Sequence, residues 1–390
     1  MFNELKNDFS FSSLSAGMLA NLVGYSSSAV IVFQAAMKFG ISPIEASTWL
    51  GVLCFFMGLL MITLSYRYKT PIMFAWSTAG AALILSSPAD LTINEAVGAF
   101  IFSGLLIFLS GITGIFEKVF KKIPLSLPQA MLAGVLLKFV LNVFKTMQHQ
   151  FSFVALLTLL YVFLRRISPR LSILIIAILG IPLAYLFHLI NFSDFNIIFP
   201  TPVFHAPTFN FSTIISLGLP LFIVTMSSQN MAGIATLHSH HFNIPISKVI
   251  TWSGFINILI APFGGFAINL AAITAAICMG PEAHLEHSKR YTAAIASGVI
   301  YIFMGLFCGL LGSFFTVLPK ELIITITGLA LLGTVTQGLI SATSNNQEKE
   351  AAMITFFVTA SDLSLFGIGS AFFGILAGTI SYIILNYKKK

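Results

Sequence analysis

Four consecutive polar side chains, Ser227-Ser228-Gln229-Asn230, interrupt the apolar run "LFIVTMSSQNMAGIA" (221–235). In an apolar medium such groups are costly unless they pair with one another, with water or with a ligand. Gln229 and Asn230 each carry donors and an acceptor, a set suited to a small carboxylate or to the water around it. A second cluster, Gly24-Tyr25-Ser26-Ser27-Ser28, adds a phenol that can donate a hydrogen bond and lie against an aromatic ring. Interhelical hydrogen bonding and small-residue packing are the structural alternative for both clusters. A third, Trp76-Ser77-Thr78, lies in "PIMFAWSTAGAALIL" (71–85). Ser77 and Thr78 are helix-capping types, and Trp76 could wall an aromatic ligand. Its counterpart "APFGGFAINLAAIT" (261–274) carries Asn269 and Phe266, although most of the 39 phenylalanines must face lipid or core.

Titratable groups are scarce in these runs. Glu45, Glu95 and Asp362 fall at the ends of apolar segments, and Glu117 at a cytoplasmic end. If protons move with a substrate, either the substrate carries the proton itself or a span-end acid such as Glu45 or Glu95 supplies it. Two histidine groups, His238/His240/His241 and Glu282/His284/Glu286/His287, have the composition of a metal site, but both fall in cytoplasmic loops. There they serve as positive loop residues or in gating, and no metal or other cofactor is expected. An enzyme would need a nucleophile–base pair or a metal at depth, yet no histidine lies at the centre of an apolar segment. A channel would want rings of charge along a pore, and none is seen.

The elements that must position these residues are membrane helices. Hydrophobic residues make up 57% of the 390 and charged residues only 8%, against about 25% charged in soluble proteins. Most of the surface must therefore face a lipid bilayer. Apolar segments centre near Tyr25, Phe55, Ala79, Ile107, Gly134, Leu157 and Ile178. A second set centres near Val224, Ile256, Ala272, Met304, Leu329, Phe357 and Ile375. About fourteen spans of about 20 residues leave only short loops. With the N-terminus in the cytoplasm, the inside collects Lys6, Arg67, Lys69, Lys118, Lys121, Lys122, Arg165, Arg166, Arg170, Lys248, Lys289, Arg290, Lys349 and Lys388 to Lys390. The outside keeps Lys38, Lys145 and Lys320, with Lys138 near the outer end of the fifth segment. That asymmetry places both termini in the cytoplasm. The net charge of +7 is spread over loops, which excludes a nucleic-acid footprint. No signal peptide is read in Met1 to Ser13, and Cys54, Cys278 and Cys308 sit in apolar runs without disulfide or metal spacing.

The chain also repeats itself. "STWLG" (47–51) matches "ITWSG" (250–254), Ile41-Ser42-Pro43 matches Asn243-Ile244-Pro245, and Ser27-Ser28 matches Ser227-Ser228. Phe74-Ala75-Trp76-Ser77 aligns with Phe266-Ala267-Ile268-Asn269, and Pro71 with Pro262. Seven segments separate the matching points, so the second half enters the membrane inverted. Inverted repeats with interrupted helices in matching positions mark secondary transporters. The interrupted pair would bring two helix N-termini together near mid-membrane, where free N–H groups and helix dipoles can hold an anion without a buried Lys or Arg. The fold class is thus all-α integral membrane, with two inverted seven-span repeats and half-helices in spans 3 and 10.

"PIMFAWSTAGAAL", "VTMSSQNMAGIA" (224–235) and "AAITAAICMGPEAH" (271–284) together resemble the benzoate/proton symporter family of bacterial inner-membrane transporters, over nearly the whole chain. The resemblance implies the fourteen-span fold of the nucleobase and sulfate transporter superfamily. It implies a core domain (1–120 and 206–318) moving against a gate domain (121–205 and 319–390), and a homodimer through the gate. It further implies uptake of benzoate or a related aromatic acid with a proton. Uniport, exchange or a channel for another small solute is the alternative. Three positions depart from the family pattern: Ala79 and Ala232 stand where prolines are usual, and Asn269 where a small residue is.

Overall fold

The computed structural model describes residues 5, 7–114, 124–169, 171–190, 201–310, 318–363, 365 and 369–386, without the side chains of Ser26 and Ser27. Glu4, Lys6, Glu117, Lys118, Lys121, Lys122, Arg170 and Lys388 to Lys390 lie outside the described residues, as does part of the loop 188–211.

The first half runs α1 (Phe11–Met37), α2 (Pro43–Tyr68), β1 (Phe74–Trp76), α3 (Thr78–Ser86), α4 (Ile93–Thr113), α5 (Ser126–Thr146), α6 (Phe151–Ile167) and α7 (Ser172–Leu186). The second runs α8 (Phe211–Ser239), α9 (Ile246–Ile260), β2 (Ile268–Leu270), α10 (Ile273–Met279), α11 (Tyr291–Leu306), α12 (Lys320–Ser344), α13 (Lys349–Ala360) and α14 (Ser370–Asn386). Local chemistry sets the starts. Ser10, Ser42, Ser77 and Asn210 each cap a helix with the side-chain oxygen, and Pro43 takes the first position of α2, where no N–H is needed. Thr92 and Glu95 close a capping box at α4.

Among the described residues, six helices are long and apolar enough to cross a bilayer: α2, α4, α5, α8, α9 with its extension to Phe263, and α12. The helix α1, bent by 44° at its break, makes a seventh if counted as one span. Every expected segment centre lies in a helix except Ala272, which caps the start of α10. The segments differ in length, and the third and tenth are the short half-helices expected there. Alpha-helices α3 and α10 have nine and seven residues, and α13 has twelve.

The all-α expectation also needs correction. The interrupted stretches form a two-stranded antiparallel sheet, pairing Phe74 with Leu270, Ala75 with Asn269 and Trp76 with Ile268. Extended backbone inside a membrane protein must satisfy its N–H and C=O groups within the protein. Here each stretch satisfies the other. Ser77 N–H to Ala267 O (3.0 Å) and Ala271 N–H to Met73 O (2.9 Å) extend the ladder at both ends. The outward edges are met by side chains. Asn257 bonds both backbone groups of Ile268, Asn230 accepts from Leu270 N–H, and Ser65 bonds both backbone groups of Ile72.

Two helix crossings brace this sheet. Gly58 and Gly298 meet where α2 crosses α11: a Cβ on Gly58 would lie 2.4 Å from Gly298 O. Gly51 and Gly305 repeat the contact seven residues away, where a Cβ on Gly305 would lie 2.7 Å from Gly51 O. At the α9–α4 crossing a Cβ on Gly254 would lie 2.3 Å from Phe108 N, and one on Gly111 2.5 Å from Thr251 N. Backbones approach this closely only where glycine removes the side chain.

Candidate functional site

A cavity of about 840 Å³ opens between two walls. One wall is built from α1, β1, α3, α8, β2, α10 and α11; the other from α5, α6, α7 and α12. The first wall presents Ser28, Trp76, Thr78, Ser228, Gln229, Asn269, Thr274 and Tyr301. The second presents Gln129, Tyr161, Arg165, Thr336 and Gln337. Arg165 is the one charged side chain among the described lining residues. It is exposed at the end of α6, donating to Pro169 O at 3.4 Å with its guanidinium 6.0 Å from the Tyr161 ring.

Trp76 is held in place rather than loosely packed. Its indole N–H donates to Ser28 Oγ at 2.8 Å, and its ring meets Tyr25 (5.5 Å) and Tyr301 (6.2 Å) edge-on. Ser77 accepts from Gly80 N–H at 2.8 Å. That cap leaves the N–H groups of Thr78 and Ala79, which no helical turn satisfies, on residues of the cavity wall. Ser228, Gln229 and Asn230 lie in a six-residue π-helical stretch of α8, Thr225–Asn230, a widened turn of the kind found at functional sites. Gln229 Oε1 and Asn269 Oδ1 are buried and accept no hydrogen bond from the described residues.

The residues singled out from the sequence separate into two groups. Trp76, Thr78, Ser228, Gln229 and Asn269 line the cavity. Asn269 does so from β2 rather than from a helix start, because α10 begins four residues later and has no side-chain cap. Tyr25, Ser77, Ser227, Asn230 and Phe266 are not part of the lining. Tyr25 backs Trp76, with a buried hydroxyl that has no hydrogen-bond partner among the described residues. Ser77 is consumed by its cap, and Ser227 by the carbonyl of Ile223 at 2.5 Å. Asn230 is fully buried behind β2. Phe266 packs with Trp49 and Phe100 in the core, 6.4 and 5.6 Å between ring centres, and offers no face to the cavity. Glu45 and Glu95 do not line the cavity either. Glu45 pairs with His205 at 3.2 Å, while Glu95 is taken up by Thr92 and by Asn210 at 2.8 Å. The histidines tie loops together: His287 Nε2 lies 2.9 Å from His240 O, and its ring stacks on Phe242 at 4.0 Å. Among the described residues no three His, Cys, Asp or Glu side chains converge as a metal site.

Known proteins place this geometry. The profile of the family described as "Benzoate membrane transport protein" (BenE) matches residues 7–384. The chain is 36% identical over 385 residues to the "Benzoate membrane transport protein" of Acinetobacter baylyi, covering 99% of this chain and 98% of that one. The chain belongs to the benzoate membrane transport protein family. It is also 41% identical over 375 residues to the "Inner membrane protein YdcO" of Escherichia coli K12, covering 96% and 95%. In fold it is similar to the transmembrane domain of the cyanobacterium bicarbonate transporter BicA, with a TM-score of 0.64, 12% identity, and 95% and 97% of the two chains covered. SLC26A9 gives a TM-score of 0.66 at 12% identity; there 97% of this chain spans 65% of the other's length. This member of the benzoate transport family is a membrane transporter and not an enzyme.

In this family member, sequence reasoning missed Tyr301, Gln129, Arg165 and the run Thr334-Val335-Thr336-Gln337, while Ser28 lay in the second polar cluster it singled out. That run had the same signal as Ser227 to Asn230: polar side chains in mid-helix, here in α12. Tyr301 left a fainter mark, the second of two phenols in the apolar helix α11.

Proposed function

We propose that this transporter is a secondary active carrier that imports benzoate or a related small aromatic carboxylate together with a proton, by alternating access. The observation that carries the reading is the cavity itself. Its deep wall combines aromatic faces (Trp76, Tyr301) with free backbone donors and amide side chains, the pairing an aromatic acid needs. The Acinetobacter baylyi relative, named as a benzoate membrane transport protein, supports the substrate class.

In this reading the wall bearing β1 and β2 belongs to a core domain, 1–120 with 206–318, and the wall bearing α5, α6, α7 and α12 to a gate domain, 121–205 with 319–390. The fourteen segments form two inverted repeats. Two features support the inversion: Trp76 pairs with Ile268, the residue it aligns with in the repeat, and Gly51 and Gly254, also aligned, each sit at a crossing with the other half. Both termini lie in the bacterial cytoplasm. Arg165 then marks the cytoplasmic mouth, and the cavity faces inward. A homodimer through the gate domain is the assembly proposed.

Uptake of labelled benzoate into proteoliposomes tests the reading. Saturable accumulation driven by an acid-outside gradient is expected. Uptake indifferent to an imposed gradient would replace coupling with uniport or exchange.

A further inference from the structure

A proton that travels with the substrate needs a seat. The described residues lining the cavity include no carboxylate, histidine or lysine. Arg165, the one charged side chain of that lining, is exposed at the end of α6. Glu45 and Glu95 lie off the cavity, held by His205 and by the α4 cap.

The deep wall offers an acceptor instead. Asn269 is 4% exposed and sits opposite Ala75 in the sheet. Its Nδ2 donates to Leu270 O at 2.9 Å. That contact fixes which end of the amide is which, because the flipped amide would set two oxygens against each other. Oδ1 is therefore a buried acceptor of a cavity-lining residue, with no donor among the described residues. Gln229 Oε1, on α8, is in the same condition. On the same wall the N–H groups of Thr78 and Ala79 are donors without acceptors.

An unpaired acceptor and unpaired donors on residues of one wall are the complement of –COOH. The acid O–H donates to an amide oxygen while its C=O accepts from a backbone N–H. A carboxylate has no proton to give, so it would leave Asn269 Oδ1 unsatisfied and set a negative oxygen against it. The start of α3 favours an anion, but one helix end is a small term beside the desolvation of a whole carboxylate. Building on the carrier reading above, we propose that the site takes its aromatic acid in the neutral, protonated form, with Asn269 Oδ1 accepting the acid O–H. The coupled proton then rides on the substrate. The carboxylate gains a proton on the acid side, crosses as RCOOH and releases H⁺ on the other, one proton per acid.

The test is direct binding to the purified full-length chain, by calorimetry, from about pH 5 to about pH 8, above the carboxylic-acid range near 4. The probes are benzoate, ring-substituted benzoates that are stronger and weaker acids, and benzamide, a neutral donor at every pH. Benzoate affinity is expected to fall about tenfold per pH unit. At one pH the stronger acids should bind more weakly in proportion to their acidity, and benzamide should compete with a pH-independent Kd. Asn269→Leu should weaken benzamide and acid alike, about tenfold or more; if that variant fails to fold, the ligand series on the unaltered protein decides. A pH-independent Kd for benzoate would overturn the proposal and leave the carrier reading intact. So would a pH dependence that ignores ligand acidity, because the proton would then sit on the protein. Absence of binding by every aromatic acid at every pH would overturn both.

Discussion

The side-chain oxygen of Asn230 lies 2.8 Å from the backbone nitrogen of Leu270 and accepts its N–H. Asn230 thus serves the sheet and not the cavity. Asn230→Ala would leave a buried N–H without a partner, at a cost of about 1–3 kcal/mol. A lower melting temperature in detergent is expected, with weaker substrate binding as its consequence. Gln229→Ala, on the cavity wall, should do the reverse: affinity falls while the melting temperature holds. An Asn230→Ala protein with unchanged melting and weakened binding would put the side chain against the ligand after all.

The α2–α11 crossing makes a second prediction. Gly58→Val places a side chain where a Cβ already lies 2.4 Å from Gly298 O, so the two helices must separate. Overpacking of this kind costs about 1–3 kcal/mol or more. Gly369→Ala is the control, since a Cβ there meets nothing within 4 Å and the change should stay within about 0.5 kcal/mol. Equal melting temperatures for the two variants would mean that the crossing tolerates bulk.

Lys38, just beyond α1, caps the far end of α3, donating to Ile84 O at 2.8 Å and to the backbone and hydroxyl oxygens of Ser87. Burial pushes its pKa down from 10.5 to about 8, the charge of Lys138 acts in the same sense, and Asp90 opposes. The unfolded chain therefore binds more protons than the folded one between those two values. The penalty is fully present below about pH 8 and is relieved as pH rises through that window, so this group's contribution to stability increases there. Mass-spectrometric readout of amine acylation should give Lys38 a midpoint near 8, and Lys138→Ala should move it upward. A midpoint in the ordinary lysine range would refute the lowered value.

Ser28→Ala is a fourth. It strips the indole N–H of Trp76 of its acceptor. Loss of about 1–3 kcal/mol is expected if the indole stays put. If the Trp76 ring turns to find another partner, its fluorescence shifts and substrate affinity drops with little loss of stability. Identical fluorescence, melting and affinity would show that the bond positions nothing.

Much of the fold could be read from residue patterns because lipid imposes them. Apolar runs, capping residues and Pro71 and Pro262 located the helices and the two breaks. What the breaks become was not legible: nothing in "FAW" or "INL" says that they will pair with each other, since the partner lies in the other half. The site was half legible. Polar residues in an apolar run signal a buried role, yet Gln229 and Asn230 are neighbours with opposite fates, one lining the cavity and one pinning β2. A widened π turn decides which way each points, and that turn has no simple sequence mark. Ala79, Ala232 and Asn269, the three positions expected to depart from the family pattern, all line the cavity. Whatever distinguishes this carrier's ligand from its relatives' is to be sought there.

The pairing of β1 with β2 also has a consequence for biosynthesis. Ribosomes make the chain from its N-terminus, so Phe74–Trp76 exists for half of translation before Ile268–Leu270 does. The same delay holds for the glycine seam of α2, whose partner α11 is made later still. An early half-chain therefore carries an open backbone edge and an uncovered helix face at the depth of the bilayer. Closing both must wait until α9, β2 and α11 have been made.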